Sequence, residues 1–429
     1  MITNSPQPNR RAGLPLVCCL VVCILSLGIA ARSQTYSVLY TFTGDEGPTA
    51  GVTIDAGGNF YGVTQYGGHP NQYCQIGCGT FYRLSQRNGA WVKTTLYSFA
   101  GGLDGAYPIA RVVFGPDGAL YGTTQSDQQS CAQRGECGTV FRLQPPARSC
   151  PSTYCPWKKT ILYRFSGGPD GGLPGSGDLV FDHTGRIYGT TQAGGAFGRG
   201  AVYLLTPSGR SWNESVAYSF SGLDGLTPVG GVILDGNENV LGTTAFGGPG
   251  YHPPQYNGGG TIFQLTSNGA GWIYTALFNF VGDDRGYVPY SALTIDDAGN
   301  IFGTAGSGGD SWCFQESEMY GGCGALFSLL GGDVNALYNF PGAYEIGLPA
   351  GPQAPMTADS AGNLYGTYYG NGIDSLGGIF EVTARSHRYV SLHDFQVGEN
   401  GGDPASNVVM DSSGNLYGVA GSVVWQITR

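Results

Sequence analysis

Side chains able to perform acid–base or nucleophilic chemistry are few in this sequence, and they are scattered. Five histidines occur, His69, His183, His252, His387 and His393, and none has a Ser, Cys or acidic partner at a spacing that makes a nucleophile–base pair. There is no Gly-x-Ser-x-Gly elbow, and the glycine-rich stretches are not followed by a helix that would hold a phosphate. Four aspartates, Asp104, Asp170, Asp224 and Asp284, recur at matching places in Gly/Asp/Pro loops. Converging on a common axis, with or without a metal, they would suit a hydrolase or lyase. Their recurrence in register argues instead for a role in turns. No catalytic residue, metal or cofactor is therefore assigned.

The cysteines carry a clearer signal. Of eleven, Cys18, Cys19 and Cys23 lie in an apolar leader, and eight form four close pairs: Cys74 with Cys78, Cys131 with Cys137, Cys150 with Cys155, and Cys313 with Cys323. No Cys-x-x-Cys occurs and no histidine stands nearby at ligand spacing, so disulfides are expected rather than a metal. That fits an exported chain. Arg10 and Arg11 precede an apolar run from Leu14 to Ala30, and Ala31-Arg32-Ser33 offers small residues for cleavage, leaving residues 34–429 as the mature protein. A retained anchor is the alternative. Secretion, to the periplasm or the cell exterior, is the expected destination.

The elements that must position these residues are written as a repeat. A short aromatic segment recurs seven times, as in Leu96-Tyr97-Ser98-Phe99 and Leu162-Tyr163-Arg164-Phe165, with repeat starts near 38, 95, 161, 216, 276, 336 and 390. Each is followed by a Gly/Asp/Pro loop, an apolar segment ending in Asp, a turn, then a phrase such as Asn363-Leu364-Tyr365-Gly366-Thr367. A variable loop leads on to Gly138-Thr139-Val140-Phe141-Arg142-Leu143 or its equivalents. The unit holds four segments of four to seven residues with period-2 alternation, and no stretch after the leader keeps helical spacing. With 75 Gly, 24 Pro and 41% hydrophobic residues, the chain has both the turns and the core for an all-β fold.

Four antiparallel strands at this period predict a seven-bladed β-propeller in a single domain. Naming the strands from the axis outward, the Gly-Val-x-x-Asp segment is A, the Tyr-Gly-Thr segment B, the Gly-Thr-x-Phe segment C and the Leu-Tyr-Ser-Phe segment D. The repeats begin with a lone D strand (38–42) and end on a C strand (423–427), so the N-terminal strand is expected to complete the last blade and close the ring. The Asp-x-x-Gly-Asn turns, such as Asp55 to Asn59, offer too few oxygens for calcium and read as turn formers.

Several phrases recurring in register, Leu-Tyr-Ser-Phe, Gly-x-Asp-Gly-x-x-Pro, Gly-Asn-Leu-Tyr-Gly-Thr-Thr and Gly-Thr-Val-Phe-Arg-Leu, resemble the GloVer tandem repeat of choice-of-anchor proteins across residues 36–429. The resemblance implies a bacterial exported protein with no catalytic residues to carry over. The sequence departs from the anchored pattern by ending on a strand at Thr428-Arg429 without a hydrophobic sorting tail, so release is expected.

Strand alternation also sorts the loops. The B–C loops and the D-to-A crossovers share one face, with long variable loops at 65–77, 125–136, 245–258 and 305–322 and three of the four predicted disulfides. That face carries Tyr107, Tyr251, Tyr256, Tyr287, Tyr290, Trp312 and Tyr320, along with Tyr66 and Tyr73. Aromatic side chains on stapled loops are candidate platforms for a glycan or an extracellular protein; packing of their own loops is the alternative. After the leader, 17 basic residues face 30 acidic ones, which disfavours nucleic acid and anionic membrane as partners. The expectation is a non-catalytic binding protein, with a hydrolase or lyase over the channel as the alternative.

Overall fold

The computed structural model describes residues 34–429 except 45, 127–136, 147–156, 251–257, 310–322, 342–350, 370–373, 375, 400 and 405. Its strands form seven antiparallel sheets arranged as the blades of a propeller. Six are continuous in sequence, blades 1 to 6, spanning 53–98, 113–164, 180–219, 232–279, 294–339 and 357–394. Blade 3 gains one further short strand, Gly172–Pro174. Blade 7 is composite: Val409–Met410, Leu416–Ala420 and Val423–Thr428 are completed by Thr35–Thr41, with Tyr36 opposite Ile427 and Thr41 opposite Val423. The ring therefore closes as the sequence predicts.

Two features of the strands depart from simple alternation. The A strands pair with B over only two or three residues, as at Thr53–Ile54 and Val113–Phe114. In blades 3 and 4 the upper half of the A segment is engaged by the following blade. Gly177 packs on Gly230, and Gly230 on Ser291, without room for a Cβ. The D strands carry a bulge in every blade: Phe81 pairs with Tyr97 but Tyr82 with Thr95, leaving Leu96 unpaired. The same slip leaves out Leu162, Ala217, Leu277, Leu337, Leu392 and Leu39. The extra residue re-aims the strand, which is why apolar residues stand at adjacent positions in Leu-Tyr-x-Phe.

The core lies in the seams between blades. Phe99 of blade 1 meets Phe141 of blade 2 at 5.3 Å between ring centroids, Phe165 meets Tyr203 at 4.9 Å, and Phe220 meets Phe263 at 5.1 Å. Burying such rings contributes both area and edge-to-face attraction. The glycine of Tyr-Gly-Thr makes space for the aromatic ring on strand C of its own blade. A Cβ on Gly122 would lie 2.8 Å from Phe141, and one on Gly242 2.6 Å from Phe263. The ring beside each glycine is what requires the missing side chain.

Each A–B turn is locked by its aspartate. Asp55 Oδ1 accepts from the backbone N–H of Gly57 (2.8 Å) and Asn59 (2.9 Å), and Oδ2 accepts from Asn59 Nδ2 (2.8 Å) and the Tyr61 hydroxyl (3.2 Å). The tyrosine tether recurs as Tyr121–Asp117, Tyr188–Asp182, Tyr365–Asp359 and Tyr417–Asp411. Burial works to raise these five carboxyls. The hydrogen bonds they accept outweigh it and hold Asp55, Asp117, Asp182, Asp359 and Asp411 below the usual carboxylate value. A depressed folded pKa adds stability that is present above the unfolded value and lost as pH falls through the folded one. The melting temperature should thus hold steady down to about pH 4.5 and drop steeply below about pH 3.5. Asp411→Asn should make that acid limb shallower; an unchanged limb in a pH series of thermal melts would refute the assignment.

Candidate functional site

The seven A strands surround a channel of about 620 Å³. Because side chains alternate, positions two apart face it in layers. The deepest layer is Thr53, Val113, Val180, Ile233, Thr294, Thr357 and Val409. Its threonines stitch the ring: Thr294 Oγ1 donates to Met356 O at 2.6 Å, and Thr53 and Thr357 donate to Val112 O and Val408 O. Each bond crosses to the A strand of the next blade.

One layer up, towards the loop-rich face, the equivalent positions are Gly51, Arg111, Asp178, Gly231, Ala292, Pro355 and Asn407. Four are small or apolar, and three polar side chains fill the space those leave. Arg111 Nε donates to Asp178 Oδ2 at 3.0 Å, a second guanidinium N–H reaches the same oxygen, and Asn407 Nδ2 approaches it at 3.5 Å from blade 7, across the axis from blade 3. Gly51 permits this crossing, since a Cβ there would collide with Asn407 Oδ1. Arg111 and Asp178 remain roughly a quarter exposed (23% and 29%), so the pair is open to the channel. At the mouth above it stand Thr49, Ile109, Ser176, Tyr290 and Gln353. The Tyr290 ring meets Phe246 edge-on at 5.9 Å.

The other described candidates sit elsewhere. Tyr107 takes a left-handed backbone conformation (φ 58°), donates its N–H to Cys78 O at 2.9 Å and packs on Tyr66 at 5.5 Å. The same left-handed residue before proline recurs at Leu173, Thr227, Val288 and Asp403, each bonded to the start of the preceding blade's C strand, so it is a stitch between blades. Tyr287 leans against Gly259 and Gly282. Tyr73 packs inside its loop beside Gly101. Tyr251, Tyr256, Trp312 and Tyr320 lie outside the described residues, as do Cys131, Cys150, Cys155 and Cys313. Cys74 and Cys78 form a disulfide with a Cα–Cα distance of 5.2 Å, and Cys137 and Cys323 are disulfide-bonded too. Asn71 pins the Cys74–Cys78 loop by donating to Ala100 O at 3.1 Å.

Three of the four crossover aspartates are held at the outer strands. Asp104 accepts from the Tyr97 hydroxyl (2.7 Å) and Ala100 N–H (2.8 Å). Asp170 accepts from Tyr163 (2.9 Å) and Ser166 N–H (2.8 Å), and Asp224 from Tyr218 and Ser221 N–H (2.8 Å). Among the described residues the carboxylate lining the channel is Asp178 alone, and no three His, Cys, Asp or Glu side chains come together as metal ligands. Sequence reasoning missed Arg111, Asp178 and Asn407. Aligning the seven repeats by the aspartate at the end of strand A would have shown them as polar exceptions in a small-residue column.

Ring closure, blade architecture and a polar-necked channel together define a seven-bladed β-propeller whose prospective site is the channel mouth. The chain belongs to the Gloeobacter/Verrucomicrobia repeat family, whose profile matches twice in tandem, over residues 27–177 and 154–315. No curated protein matches it in sequence. Solved structures that resemble it share the fold. A streptogramin B lyase superposes with a TM-score of 0.56 at 13% identity, covering 92% of this chain and 97% of that one. An ulvan lyase gives 0.54 at 11%, covering 92% and 95%. The extracellular domain of a hybrid two-component system of B. thetaiotaomicron gives 0.51 at 12%, covering 91% of this chain and 41% of that one.

Proposed function

We propose that this protein is an exported, non-catalytic recognition propeller that binds a glycan in the mouth of its channel on the loop-rich face. The observation carrying this reading is the stack of Tyr290 and Gln353 above the Arg111–Asp178–Asn407 neck, all lining one concavity. An aromatic face suits the apolar side of a sugar ring, and guanidinium, carboxylate and amide groups suit its hydroxyls. A protein partner is the other occupant the face would accept, but a concave mouth favours a slender ligand. The hydrolase or lyase alternative needs the crossover aspartates at the axis, whereas Asp104, Asp170 and Asp224 are committed to the outer strands.

Screening the purified protein against immobilised neutral and uronate-containing polysaccharides tests this directly. Tyr290→Ala should weaken the strongest hit about thirtyfold, the loss expected of an aromatic anchor. Arg111→Gln should weaken it about tenfold. Binding that survives both substitutions, or no saturable binding to any polysaccharide, would remove the proposal.

A further inference from the structure

The tyrosine of each Tyr-Gly-Thr phrase forms one wall of a seam that opens on the A–B face. In four seams a tryptophan from the next blade's D strand covers that wall. Trp91 joins the cluster of Tyr417, Trp157 meets Tyr61 at 5.8 Å, Trp212 joins Tyr121, and Trp272 meets Tyr188 at 6.1 Å. The tryptophan always stands two residues before the D-strand position that pairs with the C-strand Leu, as Trp91 does before Lys93 and Trp157 before Lys159. In the seam between blades 4 and 5, buried Val334 packs on Leu241 instead. In the seam between blades 6 and 7, the Arg429 guanidinium lies 4.6 Å from the Tyr365 ring centre.

The seam between blades 5 and 6 differs at three matched positions. The tryptophan site is His387, two residues before Tyr389, which pairs with Val382. It is exposed and left-handed (φ 48°). The tyrosine is Phe302, which has no hydroxyl for Asp296. The C-strand position opposite it, Arg83, Arg142, Leu204, Gln264, Glu381 or Gln426 in other blades, is Ser328. All three changes remove volume from one place, and a pocket of about 520 Å³ lies there, walled by Phe302, Leu337, Leu364 and Val382.

The polar groups left over define what the pocket would accept. Ser328 lines it, is 1% exposed, and its hydroxyl has no hydrogen-bond partner. Asp296 keeps its turn bonds from Ala298, Asn300 N–H and Asn300 Nδ2, but the tyrosine donor that five sister aspartates receive is missing here, as it is at Asp235. Asp296 and exposed Asp297 line the rim; Asp359 lines it too but is already engaged by Tyr365 and, at 3.8 Å, by Arg429.

We propose that the seam between blades 5 and 6 is a second binding pocket, for a planar aromatic amine whose ring takes the place tryptophan holds in sister seams and whose N–H groups meet the Asp296–Asp297 rim. It is independent of the channel mouth. Calorimetric titration of the purified protein with tryptamine should give saturable 1:1 binding, and indole-3-acetate should bind at least about tenfold more weakly because the rim repels its carboxylate. His387→Trp and Ser328→Arg install residues that other blades already carry. Each should cut tryptamine affinity at least about tenfold while leaving the thermal melt in place. Tyr290→Ala should not alter it. No saturable binding, equal binding of the two indoles to the unmodified protein, or full affinity in a folded His387→Trp or Ser328→Arg variant would overturn the proposal.

Discussion

Removing residues 34–42 should abolish the cooperative unfolding of the propeller rather than merely lower its melting temperature. Val423–Thr428 is paired on both sides, by Leu416–Ala420 and by Thr35–Thr41. Without its outer neighbour it becomes an edge strand bearing Val424 and Trp425, both wholly buried in the intact ring. Phe42, 4% exposed and packed on Tyr82 at 5.1 Å, is lost as well. Deleting one such phenylalanine side chain typically costs about 3–5 kcal/mol. The ladder adds to that, so the total approaches the roughly 5–15 kcal/mol by which a whole domain is stable. The unpaired strand would also invite association between copies. Adding a synthetic peptide of residues 34–42 should restore a single sharp transition. A truncated protein that melts sharply within a few degrees of the parent would show that the ring does not depend on this closure.

Gly189→Ala should destabilise the protein by about 2–3 kcal/mol, the upper part of the range for an overpacked core. A Cβ on Gly189 would lie 2.5 Å from Cζ of Tyr203, and that ring is fully buried against Phe165 in the seam with blade 2. It has nowhere to retreat. The same substitution in an exposed strand would be favourable or neutral, so the sign itself is diagnostic. Tyr203→Leu shortens the side chain beneath Gly189 and should absorb most of the added methyl. Denaturant titration of the two single variants and the double variant would then give a double variant more stable than additivity predicts, by about 1 kcal/mol or more. Additive losses would mean that the glycine is required for backbone reasons instead.

Much of this architecture could be read without coordinates because it depends on local, periodic features. Seven recurrences of Leu-Tyr-x-Phe and Tyr-Gly-Thr or close variants of them set the blade number, and the lone leading D strand sets the closure. The turn role of Asp55 and its equivalents followed from spacing alone. What the spacing did not disclose is that Tyr61, six residues on, ties its hydroxyl back to Asp55. Nor did it show that Leu96 and its counterparts are bulged out of the ladder. Both depend on a hydrogen bond or a register slip, which period-2 reasoning averages away.

The site was harder to see for a different reason. Arg111, Asp178 and Asn407 are separated by up to 296 positions in the chain and have ordinary neighbours. Only closure of the ring brings Asn407 across to Asp178, and only the missing side chain of Gly51 lets it pass. His387, likewise, looks like a solitary surface histidine until its repeat position is recognised as one filled by tryptophan in four other blades.

The sequence by itself determined the repeat, the strand order within a blade, the turns and the pairing of first strand with last, since each is encoded by residues close together or by a pattern repeated often enough to be unmistakable. Tertiary structure decided which exceptions to that pattern meet. A seven-membered ring sets residues from distant repeats side by side at the axis and in the seams. The two proposed sites lie where blades depart from their sisters, and a departure acquires meaning only from the neighbour that packing places opposite it.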